Sequence, residues 1–177
     1  MRASDPSEYE VRPFNASDWP QVRDIRLEML ADSPTAYVEK LADAQQRGDD
    51  HWRARAATAD QPHWLGLAGV SIATGRWIAL ARSAVFADRD DRAYVFNVYV
   101  APAYRGRGVA DDLLDVVEHW ARGEERPALF LFVHELNARA IAFYQRRGYD
   151  FTGARTSYPL DPSQSELEMC LLLHNGE

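Results

Sequence analysis

The sequence predicts a single α/β domain, a mixed sheet of six to seven strands with helices on both faces. Three observations predict it. Strand-like and helix-like segments follow one another in the order β-α-α-β-β-β-α-β-α-β-β. The central β-α-β-α portion requires parallel crossovers, whereas the strand pairs before and after it are joined as antiparallel hairpins. The chain is 177 residues, 46% hydrophobic and 27% charged, which is enough for one such domain with a full core.

The elements are read in chain order. Residues 1–8 are polar and are expected to be a flexible tail before a domain over residues 9–173. Tyr9-Glu-Val-Arg-Pro-Phe alternates as a short strand that ends at Pro13 or lies at an edge. Ser17 or Asp18 is expected to cap a helix carrying Val22, Ile25 and Met29 at spacings of three and four. Residues 36–58 read as one or two further helices, interrupted near Gly48. Trp64–Ala73 and Trp77–Phe86 flank Thr74-Gly75-Arg76, a hairpin turn, and Ala93–Val100 is a strongly β-prone fourth strand.

Residues 108–122 are expected to be a helix with Val109, Leu113, Val116 and Trp120 as its apolar stripe, widened by Leu114, Val117 and Ala121. Ala128–Val133 is an almost continuous apolar run, as for a strand covered on both faces. Asn137 can cap a helix that ends at Gly148, and Tyr149–Thr152 and Leu167–Leu173 read as the last strands.

Composition excludes several functions. Twenty basic against twenty-seven acidic side chains give a formal charge of −7, which argues against a nucleic-acid footprint and either serves solubility alone or suits a cationic small molecule. No run of about 18 apolar residues is present for a membrane helix. The first eight residues lack the apolar stretch of a secretory signal. One cysteine, Cys170, supports neither an internal disulfide nor a cysteine-based zinc site. A cytoplasmic protein without metal is expected.

The segment Val98-Tyr-Val-Ala-Pro-Ala-Tyr-Arg-Gly-Arg-Gly-Val-Ala-Asp-Asp-Leu-Leu runs from a strand through a turn into a helix. Gly106 and Gly108 lack Cβ atoms where backbone must curl and approach a ligand. The helix behind them offers unpaired N–H groups and a partial positive charge, and Arg105 and Arg107 add charge beside it, so the turn is a candidate pyrophosphate site. Neither a phosphate-binding Gly-Lys-Ser/Thr frame nor G-x-G-x-x-G is present.

Arg105-Gly-Arg-Gly108-Val-Ala110 resembles the Q/R-x-x-G-x-G/A signature of the GNAT superfamily of acyl-CoA-dependent N-acyltransferases. Asn137-Ala-Arg-Ala-Ile-Ala-Phe-Tyr144-Gln-Arg-Arg-Gly148-Tyr149 resembles the family's second motif. The element order agrees over roughly residues 9–173. The resemblance implies that the fourth strand splays from its parallel neighbour and that acetyl-CoA, as co-substrate, enters the gap. It implies main-chain roles at Val98, Tyr99 and Val100, and a pyrophosphate cradle from Arg105, Gly106, Arg107, Gly108, Val109 and Ala110. Asn137 matches a pantetheine contact, and Tyr144 matches the tyrosine near the thioester sulfur.

The implied chemistry is transfer of acetyl to a primary amine of a small molecule. Val98 N–H would face the oxyanion and the Tyr144 phenol would protonate the leaving thiolate. Protein amino termini as acceptors, or a catalytically silent acyl-CoA sensor, are the alternatives. The positions where relatives carry ionisable groups are Tyr94, Phe96 and Phe132, all aromatic here. The base therefore stays open among Glu28, Asp32, His134, Glu135 and water. Residues 27–40 and 153–162 are expected to form the acceptor pocket, with Tyr37, Tyr158 and Pro159 beside Asp32, Glu39 and Asp161. Self-association stays open, a homodimer being the form to test.

Overall fold

The computed structural model describes residues 8–173, so most of the expected N-terminal tail lies outside the described residues. The strands are β1 (Tyr9–Pro13), β2 (Trp64–Ser71), β3 (Trp77–Phe86), β4 (Arg92–Val100), β5 (Ala128–His134), β6 (Asp150–Tyr158) and β7 (Asp161–Leu172). The α-helices are α1 (Trp19–Asp32), α2 (Leu41–Gln45), α3 (Asp49–Ala57), α4 (Val109–Gly123) and α5 (Ala138–Arg146). The strands form one sheet in the order β1-β2-β3-β4-β5-β7-β6, antiparallel throughout except for the β4–β5 pair.

The two helical layers can be assigned from pairs three residues apart on β2, which face opposite sides. Gly69 pairs with Ala79, and a Cβ on Gly69 would meet Val109 of α4. Gly66 pairs with Arg82, whose guanidinium reaches the Arg55 carbonyl of α3 and the Thr58 hydroxyl. So α4 covers one face, and α1 to α3 cover the other over the β1–β3 half.

Several boundaries differ from the sequence expectation. The first helix is preceded by a 3-10 turn, Ala16–Asp18, capped by Asn15; Asp18 holds the N-cap position of α1, as expected, but makes no side-chain capping bond to it. Asn15 is extended, so its Oδ1 accepts the Ser17 N–H while the Asp18 carboxylate accepts the Asn15 N–H, a reciprocal capping box. On α4 the buried row is Val109, Leu113, Leu114, Val117 and Ala121, whereas Val116 is exposed. At about 100° per residue this arc centres on Val117 and leaves 116 and 120 at its edge.

The β5 run is not covered on both faces. Leu129, Leu131 and Val133 are buried on the α4 side, but Phe130 and Phe132 opposite are only half-buried, because the α1–α3 layer rests on β3 and stops short of them. The last hairpin is also longer than expected. Nearly all of β6 is exposed, so it shows none of the apolar alternation that marks a half-buried strand.

Two features open the sheet. The parallel pairing of β4 with β5 holds only at Ala93 with Leu129 and Tyr94 with Phe130, and both strands continue beyond it, so they splay as expected. Within β4, Asn97 and Val98 together oppose Ala81 alone, and Asn97 has φ of 55°. This is a β-bulge, which takes both residues out of the ladder at the mouth of the splay.

Candidate active site

Two cavities meet at the splay. One, of about 400 Å³, lies between the end of β4, the start of α4 and the α5 face, and includes Val98, Tyr99, Val100, Gly108, Asn137 and Tyr144 in its wall. The other, of about 310 Å³, is walled by Phe86, Tyr94, Phe96, Phe132, His134 and Glu166 among others. Tyr37, Val98, Asn137 and Tyr144 belong to both walls. A molecule in the first cavity and a molecule in the second would therefore touch at these residues.

At the glycine turn the wall of the larger cavity is backbone. Gly106 and Gly108 have φ of 75° and 88°, a conformation that costs a residue with Cβ roughly 1–2 kcal/mol. A Cβ on Gly106 would project into open space. The Asp112 N–H closes the first turn onto the Gly108 carbonyl, so the amides just before it point forward without helical partners. This concavity of N–H groups at a helix N-terminus fits a pyrophosphate.

Of the two arginines of the turn, Arg105 lines the larger cavity. Arg105 donates through Nε to the Val100 carbonyl at 2.9 Å and pairs with Asp32, bracing the turn against α1. Arg107 does not line the cavity; it pairs with Glu8 at 2.7 Å and lies over the Tyr104 ring. The cations in the wall that sequence reading missed are Arg139 and Arg146 on α5, both exposed and without ion pairs among the described residues. Their signal was present, since a helix beside a phosphate site exposes its polar face, but no motif position marks them.

At the junction the geometry is held from outside. The Tyr37 hydroxyl donates to the Val98 carbonyl at 2.9 Å, and the Tyr158 hydroxyl donates to the Tyr37 carbonyl at 2.9 Å. Arg26, 3% exposed, donates to Asn97 Oδ1 at 3.2 Å and to Glu39 at 2.8 and 3.0 Å, with its guanidinium over the Tyr37 ring. Glu39 thus serves the bulge instead of the pocket. Asn137 caps α5 through Oδ1, accepting from Ala140 N–H at 3.1 Å, which leaves its NH2 group for the cavities. Burial holds the Tyr144 phenol well above its ordinary pKa, so it is protonated at neutral pH and able to donate.

Of the four side chains considered as bases, three are committed elsewhere. Glu28 pairs with Arg76 and accepts from the Tyr99 hydroxyl. Asp32 holds Arg105; burial pushes its pKa up, but hydrogen bonds from Ser33 and Arg105 outweigh this and hold it below the usual value. Glu135 accepts from Ser165 N–H at 2.7 Å and pairs with Arg155 at 3.0 Å. His134 alone faces the smaller cavity. Of the expected acceptor-pocket residues, Tyr37 lines both cavities, while Asp161 caps a turn by accepting from Ser163 and Gln164. Among the described residues no group of three or more His, Cys, Asp or Glu is placed to hold a metal ion.

A splayed parallel pair, a bulged strand and a glycine turn at a helix N-terminus define the class of protein. Residues 19–149 match the acetyltransferase (GNAT) family, and the chain belongs to it. It is 35% identical over 81 residues to the uncharacterized N-acetyltransferase YdgE of Bacillus subtilis (strain 168), covering 45% of this chain and 49% of that one. The match thus spans about half the length of that relative. The fold is similar to an N-acetyltransferase from Staphylococcus aureus Mu50, with a TM-score of 0.78 at 18% identity over 95% of this chain and 100% of that one. It is also similar to yncA from Salmonella typhimurium, a structure with its cofactor acetyl-CoA, with a TM-score of 0.75 at 17% identity over 97% of each chain.

Proposed function

We propose that this chain is an acetyl-CoA-dependent N-acetyltransferase that passes acetyl directly to the primary amine of a small molecule, with residues 9–173 as its catalytic domain. The observation that carries the reading is the pair of cavities sharing Val98 and Tyr144 at the splay. Coenzyme A occupies the larger cavity, its pyrophosphate on the amides of residues 105–110 and its pantetheine arm along Val98, Tyr99, Val100 and Asn137. The amine occupies the smaller one.

The chemistry follows from that placement. The amine nitrogen attacks the thioester carbon, and the oxyanion that forms is met by Val98 N–H, freed from the ladder by the bulge. Collapse breaks the C–S bond, and the Tyr144 hydroxyl gives its proton to the sulfur. The phenol is then reprotonated by the second proton of the amine nitrogen. No covalent enzyme intermediate is required, and Cys170 lines neither cavity.

A small acceptor is favoured by the size and the aromatic wall of the smaller cavity, about 310 Å³ with Phe86, Tyr94, Phe96 and Phe132 around it. The Tyr158 to Tyr37 hydrogen bond ties the final hairpin to the segment after α1 beside it. Those walls suit a cationic amine. No helix among the described residues is long and apolar enough to cross a membrane, in keeping with the cytoplasmic setting we propose.

Thiol release from acetyl-CoA, measured across a panel of small amines and short peptides, tests the reading. Release that depends on small amines is expected. Release with peptides alone would move the protein to amino-terminal acetylation, and coenzyme binding without release with any amine would make it a sensor.

A further inference from the structure

The committed positions of Glu28, Asp32 and Glu135 leave the smaller cavity with two ionisable groups of interest, His134 and Glu166. They are directly opposed across the β5–β7 ladder, which places their side chains on one face about 5 Å apart at Cβ. Both line the cavity. His134 is 4% exposed, its ring is 4.6 Å from that of Tyr158, and its Nε2 is buried without a partner among the described residues. Its Nδ1 accepts the Leu136 N–H at 3.2 Å.

That last bond fixes the tautomer. Nδ1 offers a lone pair to Leu136, so in the neutral ring the proton sits on Nε2. That N–H is a buried donor with no partner among the described residues, on the strand position opposite Glu166. Glu166 is the complement: half-buried, acceptor-only when ionised, and without a hydrogen bond or ion pair among the described residues.

We propose that Glu166 receives the acceptor's ammonium group and takes its first proton, with His134 as the fixed donor that orients the carboxylate or its bound water. This rests on the acetyl-transfer reading and names its missing base. The proton balance closes. One ammonium proton moves to the Glu166 carboxylate and then to solvent, and the neutral nitrogen forms the N–C bond. As the C–S bond breaks, the second nitrogen proton reaches the coenzyme thiolate by way of Tyr144.

The neighbours of Glu166 agree with the role. Facing it are His134 from β5 and Tyr158 at the end of β6, both of which also feel Asp161 at the start of β7, while Arg89 lies in the wall of the same cavity. The nearby cation on β6, Arg155, is taken by Glu135. Burial pushes the Glu166 carboxyl above its ordinary pKa, with His134 opposing, which brings it closer to the working range of a general base.

The test compares wild type with Glu166→Gln using two kinds of acceptor, ethanolamine and putrescine as protonated alkylamines and methoxyamine as an amine already neutral at pH 7. Glu166→Gln should lower kcat/KM for the alkylamines by about 10²–10⁴-fold while methoxyamine stays within a few-fold of wild type. Coenzyme A affinity, by calorimetry, should be unchanged, and Glu166→Asp should recover part of the alkylamine rate. In wild type the rising limb of kcat/KM against pH should stay at one position from amine to amine, above that of an ordinary carboxylate, with activity lost as pH falls through it. In Glu166→Gln it should instead follow the pKa of each amine. Equal losses with both acceptor classes, or full alkylamine activity in Glu166→Gln, would overturn the assignment while leaving acetyl transfer in place. Wild-type protein that binds coenzyme A but releases no thiol with any amine would overturn the acetyl-transfer reading, and this proposal with it.

Discussion

The two cavities at the splay are made of different material. The larger cavity, the proposed coenzyme side, depends on backbone features: an αL turn at Gly106 and Gly108, helix amides behind it, and a bulged strand edge. The smaller cavity, the proposed acceptor side, depends on side chains contributed by β3, β4, β5, β7, α5 and the segment after α1. A backbone site demands particular residues at particular chain positions, because only glycine tolerates the turn and only a following helix supplies the amides. A side-chain site demands only that distant residues converge, and its chemistry can change without disturbing the fold. The contrast explains why a common cofactor and a private substrate can share one scaffold.

The largest effect should come from breaking the backbone side alone. Gly108→Glu places a strained residue and an anion where the phosphates are proposed to sit, and should abolish coenzyme A binding in calorimetry while the protein stays folded. Gly108→Ala adds the strain of positive φ without the charge, and should weaken binding far less. Equal affinities for the Glu variant and wild type would remove the turn from the coenzyme site.

Next in size is the residue that belongs to both sides. Tyr144→Phe keeps the ring in place at the junction and removes the one hydroxyl proposed to reach the sulfur. Turnover should fall by about 10–10⁴-fold, with coenzyme affinity nearly unchanged. A variant with wild-type turnover, under conditions where chemistry limits the rate, would mean that the thiolate leaves without an acid.

The same division sets what the sequence could reveal. The splay was expected from the family resemblance alone, while the glycine turn and the Asn137 to Tyr144 helix were legible because each is dictated by local spacing. The Glu166–His134 pair was not. Residue 166 lies in a polar stretch without alternation, and only the strand order, with β7 inserted between β5 and β6, brings it opposite residue 134. The support of the bulge by Arg26 was equally hidden, since it joins α1 to β4 across 71 positions. The start of the first helix was half legible: Asp18 holds its N-cap position, but the side-chain capping bonds fall to Asn15 one turn earlier, where the backbone is extended.

An acceptor-side change should give a moderate, one-sided effect. Phe132 stacks parallel to Tyr94 with ring centroids 5.8 Å apart, and Arg89 lies over both rings. Phe132→Ala removes one aromatic wall, a contact of about 0.5–1.5 kcal/mol, so the KM of the amine should rise by about 2–10-fold. Coenzyme affinity should not move. A parallel loss of coenzyme affinity would show that the two cavities are not separable and would blunt the comparison above.

The smallest effect should fall on the exposed cations of the proposed coenzyme side. Arg139 and Arg146 stand exposed at the cavity wall, so they act on a phosphate through solvent and not through a fixed hydrogen bond. Exposed charge pairs contribute about 0.2–1 kcal/mol and are screened beyond about 8–10 Å at ordinary ionic strength. Replacing both by Ala should therefore weaken coenzyme A about 2–10-fold at low salt, and the difference from wild type should shrink as salt is raised, without any change in kcat. A loss that persists at high salt would mean that one of these arginines closes onto the phosphates directly. The coenzyme site would then be, in that part, a side-chain site after all.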